Sequence, residues 1–148
     1  MITEDSVEID APPQRVWEVF SDVEHWSDWT ASVNSLVGLD SGSLAVGRRF
    51  AIKQPGMPKL VWEVTEIDPG RSWTWVQSAP GARVTARHHV IPRPGGGTLV
   101  RQQLDQRGVL GGLVGRLMLN KTKRFLALEA QGLKARSERL SRADGAHS

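Results

Sequence analysis

Residues able to carry proton or group transfer are scarce in this 148-residue chain. It has no cysteine, so a thiolate nucleophile and a disulfide frame are both excluded. Two of its histidines, His88 and His89, are adjacent. On a strand, neighbouring side chains point to opposite faces, so at most one of the pair reaches an interior and the two cannot share a metal. An inward His88 or His89 is the candidate for general acid–base work; the bland alternative is an exposed ring, or one held by a backbone carbonyl. No His/Asp/Glu grouping has metal-ligand spacing, and no nucleophile elbow, phosphate loop or dinucleotide fingerprint occurs. Gly95-Gly96-Gly97 precedes a strand, whereas phosphate loops open helices, so it reads as a hairpin turn. Neither a metal nor a cofactor is expected, and the reading leans away from catalysis.

Binding chemistry is better represented, by the six tryptophans Trp17, Trp26, Trp29, Trp62, Trp73 and Trp75. Trp17 lies on the apolar face of a first helix and reads as core. Trp73 and Trp75 share a face by the strand period, as do Leu60, Trp62 and Val64. If those faces look inward, three indoles border the interior. Each offers a flat apolar wall and one N–H donor, which suits a planar or lipid-like ligand. The rival is a core that the rings fill completely. Val100, Gln102 and Leu104 also share a face, which makes Gln102 a buried amide in need of partners or a ligand contact. Arg83 and Arg87 fall on the opposite parity from Val84, Ala86, His88 and Val90, and are expected outside.

These side chains need a frame. Alternation predicts strands over Ser6–Asp10, Val33–Leu39, Arg48–Lys53, Lys59–Ile67, Ser72–Ser78, Arg83–Ile91 and Thr98–Arg107. Short Gly/Pro turns such as Asp68-Pro69-Gly70 separate the later ones. A helix starts near Pro13, with Val16, Trp17 and Phe20 on one face, and a second short one covers Val23–Trp29. From Leu110 to Arg142 apolar residues recur at helical spacing, which predicts one long amphipathic helix. Its stripe from Leu113 to Leu128 should face the sheet, with Leu117, Met118 and Phe125 as a cavity roof, and the helix should fray beyond Gly132. Gly111, Gly112 and Gly115 weaken its start by about 1 kcal/mol each, which suggests a mobile lip. The economical packing is α+β: a seven-stranded curved antiparallel sheet around a long C-terminal helix, with two short helices after strand 1. A gap between sheet and helix becomes a ligand cavity. Residues 1–142 form one domain, and 143–148 a disordered tail.

Charge is uneven. Residues 1–30 hold eight acids and one base, and residues 101–148 hold ten bases and four acids. The plain reading is a solvated helix face; a homodimer held head to tail is the alternative. Nucleic-acid binding is not expected, because the aromatics lie on faces that should be buried rather than among the bases. No apolar run is long enough to span a membrane, and the acidic start does not resemble a signal peptide. A cytoplasmic protein fits these features.

The element order and several motifs resemble the helix-grip proteins of the START/Bet v 1-like superfamily, and most of all its bacterial polyketide cyclase/dehydrase-type (SRPBCC) branch. The motifs are Ile9-Asp10-Ala11-Pro12-Pro13, Val16-Trp17-Glu18-Val19, Asp22 through Trp29, Val64 through Gly70, Gly96-Gly97-Thr98 and Arg107-Gly108. The resemblance covers roughly residues 3–138. It implies the helix-grip fold and places the second short helix, with Trp26 and Trp29, at a cavity mouth. It also implies a range of functions, from lipid carriers to aromatic-polyketide cyclases. Such cyclases are thought to use polar cavity residues, often Arg and Tyr. This chain has no tyrosine, so His, Arg or Gln would have to serve. Three readings follow. The first is a binder of a small hydrophobic or amphipathic ligand, contacted by Trp26, Trp29, Trp62, Trp73, Trp75, Gln102, Leu104, Leu117, Met118 and Phe125. The second is a cyclase/aromatase using a cavity histidine. The third is a filled-core domain that binds a partner.

Overall fold

A computed structural model describes residues 1–146 of the chain; His147 and Ser148 lie outside it. Seven strands form one antiparallel sheet: β1 (Ile2–Ile9), β2 (Ser35–Gly38), β3 (Arg49–Lys53), β4 (Leu60–Asp68), β5 (Ser72–Ala79), β6 (Ala82–Pro92) and β7 (Thr98–Arg107). Their spatial order is β1-β7-β6-β5-β4-β3-β2. The run from β2 to β7 is therefore a meander of neighbours, and β1 joins it by pairing with β7 from Ile2↔Asp105 to Ile9↔Thr98. A register shift between Val64 and Glu66 bends β4 against β5, which helps the sheet curl. Helix α1 (Pro13–Ser21) and a 3₁₀ helix (Val23–Asp28) cross one end of the concave face. Helices α2 (Gly111–Leu117) and α3 (Leu119–Ala146) follow β7. The molecule is the expected α+β helix grip.

The alternation of β6 shows why the sheet has an inside. Ala86, His88 and Val90 are buried, while Arg83 is exposed and Arg87 reaches out to Gln103 Oε1. Phe20, Trp26, Phe50 and Trp73 fill the centre, with Trp26 Nε1 donating to the Phe20 carbonyl at 2.9 Å. Trp17 is half-buried and meets Trp73 edge-on at 6.0 Å.

Several expectations need correction. Strand β1 begins at Ile2 rather than Ser6, because backbone pairing with β7 carries Thr3 and Asp5 onto the inner face although neither is apolar. Strand β2 is shorter than its apolar run. The single helix from Leu110 is two helices that meet at Met118. Helix α2 is positioned by Gly111 and Gly115, whose backbones lie against Gln106 of β7; α3 follows a different surface, that of β1 and α1.

A further correction concerns which half of the helix holds. The buried stripe of α3 is Leu126, Ala130, Leu133 and Ser137, and Leu140 packs against the core. The part beyond Gly132, expected to fray, is the anchor. Lys134 Nζ donates to the Glu8 carbonyl, and Glu138 accepts from the Asp10 amide at 2.7 Å. Residues 143–146, assigned from sequence to a disordered tail, continue α3, while the rest of that tail lies outside the described residues.

Candidate functional site

Between the concave sheet face and the helices lies a cavity of about 380 Å³. Its buried end is formed by Trp26, His88, Gln102 and Glu129, none more than 9% exposed. Of its lining residues, Pro80, Leu110 and Val114 are exposed and Met57 is half-buried, so the cavity opens on their side. Trp62 and Trp75, with ring centroids 5.7 Å apart, form one wall. Met118, Phe125 and Leu126 roof it, and Ala86 and Leu104 form its floor. A small side chain in the floor beneath large aromatic walls leaves the space unfilled: β6 offers Ala86 where Trp75 of β5 pairs with it.

His88, not His89, is the inward histidine. Its ring stacks on Trp73 at 4.1 Å and its Nδ1 lies 3.1 Å from the Trp73 carbonyl. A carbonyl only accepts, so Nδ1 carries the proton and Nε2 is left as an acceptor. Burial lowers the His88 pKa to about 3. A neutral ring that resists protonation so strongly is a poor base near neutral pH. His89 is half-buried on the other face, its pKa lowered by burial and by Arg101 and Arg87.

The group that sequence reasoning missed is Glu129. It sits on the inner stripe of α3, where Gln102 Nε2 donates to Oε2 at 2.8 Å and Ser32 Oγ donates to Oε1 at 3.3 Å. No base faces it. Burial raises its pKa to about 7, the two hydrogen bonds oppose the rise, and nearby Asp5 adds to it. Gln102 Oε1 and Gln106 Oε1 are buried with no partner among the described residues. Both side chains line the cavity. The buried end thus offers an exchangeable proton on Glu129 and an unfilled acceptor on Gln102. The signal that could have found Glu129 is its place in the series Leu126, Glu129, Leu133 and Leu140, an acid on an apolar stripe.

Of the residues singled out from sequence, Trp26, Trp62, Trp75, His88, Gln102, Leu104, Met118 and Phe125 border the cavity. Trp73, Trp29 and Leu117 do not. Trp73 lies behind His88, whose ring occupies the space its indole would face. Trp29 packs on Trp26 and beneath α3 rather than at a mouth. Leu117 is 76% exposed, because the break at Met118 turns its side of α2 to solvent. Among the described residues, no three His, Asp or Glu side chains gather as metal ligands.

Comparison with known proteins agrees with this architecture. The family described as polyketide cyclase / dehydrase and lipid transport matches residues 2–138. No curated protein matches the sequence. Among solved structures, the Zhui aromatase/cyclase from Streptomyces sp. R1128 is similar, with a TM-score of 0.78, 21% identity and 98% of each chain covered. A START superfamily protein from Mycobacterium smegmatis aligns with a TM-score of 0.71 and 19% identity, over 94% of this chain and 98% of that one. Norcoclaurine synthase from Thalictrum flavum aligns with a TM-score of 0.72 and 15% identity, over 90% of this chain and 91% of that one. At these identities the likeness is one of fold.

Proposed function

Since the chain belongs to the polyketide cyclase / dehydrase and lipid transport family, we propose that its cavity binds one small hydrophobic or amphipathic molecule, such as a lipid, a polyketide or an isoprenoid. The observation that carries this reading is an unfilled space of about 380 Å³ walled by Trp62 and Trp75 and closed at its inner end by Gln102 and Glu129. A ligand hiding about 300 Å² of apolar surface would gain roughly 7 kcal/mol before ordering costs. The polar inner end sets orientation. A ligand hydroxyl can donate to Gln102 Oε1, and a ligand carbonyl can accept from protonated Glu129.

The test is a titration of intrinsic tryptophan fluorescence with fatty acids, sterols and aromatic polyketides, beside native mass spectrometry of the purified protein. A saturable change, lost when Trp75 is replaced by Phe or Leu, supports the reading. No change across the panel and no co-purified mass would sink it.

A second reading, a cyclase/aromatase, is favoured by Glu129 rather than by a histidine. A buried carboxyl with a pKa near 7 can both take and give a proton at neutral pH, where His88 cannot. The substitution Glu129→Gln separates the readings. It should abolish turnover of a poly-β-ketone while leaving binding within a few-fold; unchanged turnover removes Glu129 from any chemistry. The filled-core reading is the one the cavity itself speaks against.

A further inference from the structure

Helix α2 and the turn before it expose a run of apolar side chains that the fold does not use. Val109 is 92% exposed, Leu117 76% and Leu113 58%, while Leu110 and Val114 are nearly half exposed. Side chains three and four apart share a helix face, so Leu113, Arg116 and Leu117 stand together on the outer side of α2. Leu110 and Val114, four apart, flank this face on its cavity side and line the cavity, which Leu113 and Leu117 do not. Between Arg107 and Leu128 the chain has five bases and no acid: Arg107, Arg116, Lys121, Lys123 and Arg124. Arg107 pairs with Asp105, and Lys121 donates to the Gly56 carbonyl. Arg116, Lys123 and Arg124 are exposed and form no ion pair among the described residues.

We propose that this patch docks the protein on an anionic lipid surface, with Val109, Leu113 and Leu117 inserted among the acyl chains and Arg116, Lys123 and Arg124 on the headgroups. No helix is long and apolar enough to cross a membrane, so the contact is interfacial. Val109, Leu113 and Leu117 are each more than half exposed and none borders the cavity, which suits insertion into a deformable surface. The charge of the patch is of one sign throughout, which suits phosphate headgroups. Docking would also turn the cavity mouth toward the bilayer, so that an apolar ligand enters without crossing water.

The test is co-sedimentation with vesicles of phosphatidylcholine alone and of phosphatidylcholine mixed with phosphatidylglycerol, at low and at high salt. Wild-type protein should pellet with the anionic vesicles, and raising salt should release it. The double variant Leu113→Glu, Leu117→Glu should lose about tenfold or more in vesicle affinity. Neither residue borders the cavity, so ligand titration in solution should stay as in wild type, which separates this proposal from the ligand-binding reading. Replacing Lys123 and Arg124 by Glu is the second variant, with a loss of about fivefold expected for each charge. The proposal is overturned by a wild type that ignores anionic vesicles at low salt, or by variants that bind them as wild type does. It is also overturned by a dimer in light scattering that the leucine variants dissolve while vesicle binding is absent; the patch would then belong to a second copy of the chain.

Discussion

The backbone of Gly132 in α3 rests against the carbonyl oxygen of Trp29, so closely that no Cβ fits between them. Two effects oppose each other in Gly132→Ala. Alanine gains about 1 kcal/mol as a helix former. Against that, the methyl must push apart α3 and the backbone following the 3₁₀ helix, and overpacking of this kind costs about 1–3 kcal/mol. The second effect should win, because the obstacle is main chain rather than the end of a flexible side chain. A denaturant midpoint below wild type is expected; a higher one would show that the helices separate freely.

Stability should depend on pH through two buried groups of opposite sign. The folded pKa of Glu129 is raised from 4.5 to about 7. The folded state therefore holds a proton that the unfolded state has lost, and its contribution is complete below pH 4.5 and drains away as pH rises through 7. The folded pKa of His88 is lowered from 6.5 to about 3. Its contribution is complete above pH 6.5 and is lost as pH falls toward 3. Between 4.5 and 6.5 the two slopes cancel. In Glu129→Gln the rise from His88 should become visible across that window, at about 1.4 kcal/mol per pH unit, and the smaller loss above pH 6.5, on the order of 1 kcal/mol or less, should vanish. Urea melts at stepped pH measure this directly. Parallel curves for the variant and wild type would mean that Glu129 titrates like an exposed acid.

Filling the cavity should abolish binding without unfolding the protein. Ala86 lies on the floor, paired with Trp75 and buried beneath the open space. Enlarging it to Phe places a ring where there is room, so stability should change by less than about 1.5 kcal/mol. The fluorescence response to ligand should disappear. Retention of wild-type affinity in a folded Ala86→Phe protein would place the ligand elsewhere.

Thr98 begins β7 fully buried and donates from Oγ1 to the Ala11 carbonyl at 2.7 Å. That bond joins the last strand to the segment leading into α1. Thr98→Val keeps the shape and removes the donor, leaving the Ala11 carbonyl unpaired, at a cost of about 1–3 kcal/mol. A melting temperature equal to wild type would show that another donor takes its place.

Most of the frame was legible because it depends on local periodicity. The alternation Val84, Ala86, His88, Val90 announced β6, and the same parity put Arg83 outside. What escaped is what depends on partners distant in sequence. Asp5 and Thr3 enter the inner face because β7 dictates it, and no pattern in residues 1–6 says so. The opposite roles of the two helix halves were hidden for a similar reason: Leu113 and Leu133 have equal apolar character, and only the position of β1 and α1 decides which is covered. His88 was an even choice with His89 until Trp73 settled it. Glu129 was passed over because one acid in a charged helix looks like any other unless the buried stripe is already known. The hollow itself has no sequence signature, since a filled and an unfilled grip share one periodicity.

The pairing of β1 with β7 has a consequence for how the chain is made. Every other neighbouring pair in the sheet is also consecutive along the chain, and those hairpins can close as they are synthesised. Strand β1 leaves the ribosome first yet has to wait for residues 98–105, its partners from Ile9↔Thr98 back to Ile2↔Asp105. Until then its inner face, and the surface against which α3 will close, stay open. A nascent chain stopped short of β7 should therefore be protease-sensitive and prone to aggregate, whereas one extended through α3 should close in a single late step.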